Sequence, residues 1–67
     1  MKKSDKTKQK ILKETIELIS KKGYAATSTR EIAEKADVSE ATIFKYYKSK
    51  DNLLQTIVMD IVEKLFK

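Results

Sequence analysis

One glycine, Gly23, and no proline leave this 67-residue chain few places to break a helix. Proline removes a backbone donor and clashes with the preceding turn, whereas glycine opens left-handed backbone. Their scarcity favours helical runs joined by short links, so an all-α fold with few turns is expected.

The apolar spacing predicts four helices. The first starts near Ser4 or Asp5 and runs to Lys22, with Ile11, Thr15, Leu18 and Ile19 on one face and Leu12 and Ile16 beside them. Lys21 and Lys22 complement the dipole of its last turn. Gly23 follows as a left-handed cap, and Tyr24 can fold back on that turn. Ser28 and Glu31 have capping-box spacing and open a second helix, whose narrow face is Ile32, Ala33 and Ala36. After the link Asp37-Val38, Ser39 caps a third helix over 40–46, with Ile43 and Tyr47 inward. Ser49 caps a fourth, from Lys50 to the C-terminus. Its apolar pairs, Leu53/Leu54, Ile57/Val58, Ile61/Val62 and Leu65/Phe66, step by four residues. Each step overshoots a full turn by about 40°, so the stripe drifts. The first two pairs can cover the other helices; the last two are expected to project beyond them.

A chain this short forms one domain with a small core. With no cysteine there are no disulfides or thiolate metal sites. With no histidine, the commonest general base and the commonest metal ligand are missing, so neither an enzyme nor a metal or cofactor site is expected. No apolar run is long enough to span a membrane and no secretory signal is present, which makes the cytoplasm the expected compartment. The net charge of +5 is uneven: residues 1–10 hold five lysines against Asp5, while residues 30–51 are balanced. Residues 1–5 read as a basic arm. Lys45, Lys48 and Lys50 form a second local excess. Basic clusters suit nucleic acid or anionic lipid alike, so charge does not choose between them.

The pattern of residues 28–47 does choose. Two short helices around a tight link form a helix-turn-helix, whose second helix lies in the DNA major groove. A helix over 40–46 is about 10 Å long and fits a groove about 12 Å wide. Lys45 can donate to guanine, and Thr42 or Ala41 can meet a thymine methyl. Glu40 either accepts from cytosine or only stabilises the helix N-terminus. Thr27, Ser28 and Ser39 stand at helix N-termini, where hydroxyls and backbone N–H groups bind phosphates. Tyr46 and Lys50 can add a phenol and a cation. Lys2, Lys3, Lys6 and Lys8 would give a non-specific attraction, or simply a solubilising tail.

The run Lys22-Gly23-Tyr24, Thr27-Ser28-Thr29-Arg30-Glu31-Ile32-Ala33, Ala36-Asp37-Val38-Ser39, Thr42-Ile43-Phe44-Lys45-Tyr46-Tyr47 and Ser49-Lys50-Asp51-Asn52-Leu53-Leu54 resembles the N-terminal domain of tetracycline-repressor (TetR) type regulators. Ile11-Leu12 and Leu18-Ile19 add to the match, which covers residues 6–66. The resemblance implies a repressor that binds a palindromic double-stranded operator as a homodimer. It also implies release by a small effector held in a C-terminal domain absent from this chain. It adds Thr29 to Thr27, Tyr46 and Lys50 as phosphate contacts, and Arg30 to Thr42 and Lys45 as base contacts. Three positions depart from the family pattern: Asp37 and Ala41 stand where glycine is usual, and Phe44 where tyrosine is. A helical protein-interaction module using the fourth helix's apolar stripe is the alternative, but it leaves the spacing of Arg30, Thr42, Lys45 and Tyr46 unexplained.

Overall fold

The computed structural model describes residues 3–66, with side chains from Asp5 onward. Four helices follow one another: α1 Lys3–Lys22, α2 Thr29–Ala36, α3 Glu40–Tyr46 and α4 Lys50–Leu65. The expected all-α class and the order of elements hold. The first helix, however, begins at Lys3, so neither Ser4 nor Asp5 caps it, and Asp5 lies in its first turn. Residues 3–5 of the expected arm are therefore helical, and Lys2 lies outside the described residues.

Three serines set the starts of the later helices. Ser28, Ser39 and Ser49 have extended backbone, and each side chain accepts from the N–H three residues on, at 3.1 Å. Each bond satisfies one of the four donors that a helix N-terminus leaves unpaired. The expected reciprocal half of the Ser28–Glu31 box is replaced. The Glu31 carboxylate takes a 3.4 Å bond from the Ser28 hydroxyl and pairs with Lys22 at the end of α1. Hydrogen bonding to the Lys22 ammonium holds the Glu31 carboxyl below its usual range.

Two residues take left-handed backbone, Gly23 at φ 84° and Asp37 at φ 58°. At Asp37 the link closes as a Schellman motif: the Asp37 N–H donates to Glu34 and the Val38 N–H to Ala33. Val38 then packs against the core, as the residue after such a cap usually does. This geometry turns the chain from α2 into α3.

The core is one cluster drawn from all four helices: Ile11 and Leu18 of α1, Ile32, Ala33 and Ala36 of α2, Ile43 with Tyr47 beyond α3, and Leu53 of α4. Ala33 and Ala36 let α2 lie close between α1 and α3. Thr15 is buried too, and its hydroxyl donates to the Ile11 carbonyl at 2.7 Å. Ile16 is exposed, so the inward stripe of α1 is Ile11, Thr15 and Leu18, with Leu12 partly buried against the core beside it. On α4, Leu53 and Ile57 are buried. From Val58 onward the large apolar side chains face outward, ending with Leu65 and Phe66 at 76% and 86% exposure. The expected drift of the stripe is thus present, and it leaves the core one residue earlier than the pairs suggested.

Candidate nucleic-acid interface

Helix α3 is anchored by Ile43 and Tyr47, which are buried, so its other face turns to solvent. Glu40, Ala41, Phe44 and Lys45 are exposed on that face, and Thr42 and Tyr46 are half-buried at its edges. The expected base-contacting residues on α3, Ala41, Thr42 and Lys45, therefore share one outward surface. Arg30 projects from the first turn of α2 and pairs with Glu34 at 3.6 Å, both side chains being largely exposed. Such a pair holds the side chain weakly.

The polar residues at the helix starts are already linked to one another. The Thr29 hydroxyl donates to the Glu40 carboxylate at 3.1 Å, joining the N-terminus of α2 to that of α3. The Ser39 and Thr42 hydroxyls share a bond of 3.0 Å. Each pair occupies one hydroxyl hydrogen, so Thr29 must release Glu40 before it can donate to a phosphate. This link between two helix N-termini was not foreseen from the sequence.

A shallow depression lies between the loop after α1 and the start of α4. Ser28 and Thr29 flank it on one side, Lys48, Ser49 and Lys50 on the other, with Phe44 also lining it. Two helix N-termini thus border one cleft, with two lysines at its rim. Anionic oxygens are attracted to such a place. Lys48 had no assigned role in the sequence; its place here depends on the turn between α3 and α4.

Two expectations need correction. Thr27 is buried, its hydroxyl donates to the Gly23 carbonyl at 2.8 Å, and its N–H donates to Tyr24. Both donors are spent inside the loop, so Thr27 shapes the loop rather than presenting a group to phosphate. The Tyr24 side chain, expected to fold back on the last turn of α1, meets the start of α4. Its ring lies 4.3 Å from the Lys50 ammonium, and its hydroxyl bonds Asp51. Lys50 in turn donates to the carbonyls of Tyr24 and Thr27, both at 3.0 Å. It braces the loop and keeps one N–H for another acceptor.

Tyr46 packs against the core, and two cations lie over its ring. The Lys8 and Lys45 ammoniums lie 5.5 and 5.7 Å from its centroid. Among the described residues no group of three or more acidic, histidine or cysteine side chains could hold a metal, and no helix is long and apolar enough to cross a membrane.

The family model for bacterial regulatory proteins of the tetR family matches residues 11–57. A 52-residue stretch is 52% identical to the uncharacterized HTH-type transcriptional regulator YvkB of Bacillus subtilis (strain 168), covering 78% of this chain and 28% of that protein. The probable HTH-type transcriptional regulator YttP of the same organism is 42% identical over 85% of this chain and 28% of its own length. The HTH-type transcriptional repressor KstR of Rhodococcus jostii (strain RHA1) is 38% identical over 87% of this chain and 27% of its own length. No solved structure matched. The chain belongs to the tetR family of bacterial regulatory proteins, and it spans under a third of the length of these relatives.

Proposed function

We propose that the chain is the DNA-binding part of a transcriptional regulator, placing α3 in the major groove of a double-stranded operator. The observation that carries this is the two-sided build of α3. Ile43 is wholly buried, while Ala41 and Lys45 stand exposed one turn apart on the opposite side, Glu40 beside them. A helix fixed to its domain through one apolar face and carrying a cation and small side chains on the other suits base reading. Lys45 donates to guanine, Ala41 and Thr42 meet thymine methyls, and Arg30 reaches the adjoining base pair. Ser28, Thr29, Ser39, Tyr46 and the remaining N–H of Lys50 take phosphates. Thr27 is left out of this set.

The relatives' greater length, and the name of one as a repressor, support placing the chain in a longer cytoplasmic repressor. In that reading the regulator pairs as a homodimer on a palindromic site and is released by an effector bound elsewhere. The exposed end of α4, with Ile61, Leu65 and Phe66, is then where the rest of the molecule attaches. The same exposed end is the one observation favouring a protein-interaction module. Gel shifts of a random duplex at 50 and about 200 mM salt separate the two readings. DNA binding predicts a shifted band at low salt that weakens sharply at high salt. A chain that leaves the duplex unshifted at both is no DNA-binding domain.

A further inference from the structure

Among the described side chains near the N-terminus, the Lys8 ammonium is placed at the recognition helix. Its ammonium lies 5.5 Å from the centroid of the Tyr46 ring, across from α1 to the last turn of α3. Lys45 brings a second ammonium to 5.7 Å from the same centroid. Among the described residues neither lysine joins an ion pair, and the Tyr46 hydroxyl has no hydrogen-bond partner. Two ammoniums therefore lie over one phenol ring, and no acidic side chain among the described residues pairs with either. A ligand that only accepts hydrogen bonds and carries negative charge would suit the Lys8 ammonium and the Tyr46 hydroxyl together.

We propose that Lys8 and Tyr46 seat one backbone phosphate of duplex DNA flanking the groove that α3 enters. The proposal rests on the DNA-binding reading above and adds α1 to the contact surface. Lys45 belongs to α3 and can turn toward base edges; Lys8 belongs to α1 and is left to the backbone. Contact with phosphate fixes register and adds to the salt dependence without reading sequence.

The test is fluorescence anisotropy with a labelled random-sequence duplex across a salt series, using the 67-residue chain. Lys8→Met keeps the stem and removes the charge. Lys6→Met removes the same charge about 200° away around α1. Lys8→Met should flatten the plot of log affinity against log salt by about 0.9 and weaken all sequences alike. Lys6→Met should change that slope by less than half as much. Tyr46→Phe should leave the slope intact and weaken binding several-fold. Equal flattening by Lys8→Met and Lys6→Met would overturn the seat in favour of a diffuse field, and so would no flattening by Lys8→Met. Wild-type protein that shows no salt-dependent binding removes the DNA-binding reading itself, and the seat with it.

Discussion

Lys50 has three N–H donors, and two of them already serve the carbonyls of Tyr24 and Thr27. Removing the ammonium therefore acts on the protein before it acts on DNA. Lys50→Met should lower stability by about 1–3 kcal/mol, because two partly buried carbonyls lose a charged donor. It should also flatten the salt slope by about 0.9 through loss of the third N–H from the phosphate. An unchanged denaturant midpoint contradicts the brace, and an unchanged slope contradicts the phosphate contact. Lys45 has no such internal duty. Lys45→Ala should cost about 1–3 kcal/mol on a preferred site and relax the preference at one base pair. Equal loss on preferred and scrambled duplexes would assign it to phosphate instead. Asp37 sits at φ 58°, where aspartate is tolerated and glycine is free of strain. Asp37→Gly should therefore raise stability by about 0.5–1 kcal/mol in urea unfolding, and a lower midpoint would show that the aspartate side chain contributes more than the strain costs.

At the scale of the elements, α4 divides sharply. Leu53 is wholly buried and Leu65 mostly exposed. Leu53→Ala should cost about 2–5 kcal/mol, enough to unfold much of so small a domain. Leu65→Ser should change stability by less than about 0.5 kcal/mol. Similar melting shifts for the two would mean that the end of α4 is covered in solution. Beyond α3, burial raises the pKa of Tyr47 above its ordinary value of 10.0. The folded state thus keeps a proton that the unfolded state releases. Its contribution to stability is present below about pH 10 and is lost as pH rises toward the folded value. Tyr47→Phe should blunt that alkaline loss.

The serine caps, the glycine and Asp37 turns and the drifting α4 stripe were legible in the sequence because each is decided within a few residues. What escaped was set by distant parts. Tyr24 meets Lys50 and Asp51 only once α1 and α4 have packed, and Thr27 is buried only because the loop folds back on Gly23. Thr29 finds Glu40 across the turn, and Lys8 meets Tyr46 across two helices. The outward surface of α3 was readable from Ile43 and Tyr47; the internal commitments of its neighbouring hydroxyls and ammoniums were not.

For the whole molecule, one small core holds three serine-capped helices so that a single outward helix is presented beside two helix N-termini. The central claim is that this surface reads duplex sequence. Selecting bound duplexes from a random pool, and then comparing the selected and scrambled sequences at one salt concentration, tests it most directly. The account predicts an enriched motif that binds more tightly than its scrambled form, with one base pair of the motif lost for Lys45→Ala. No enrichment, with equal affinity for all duplexes, would contradict base reading by α3.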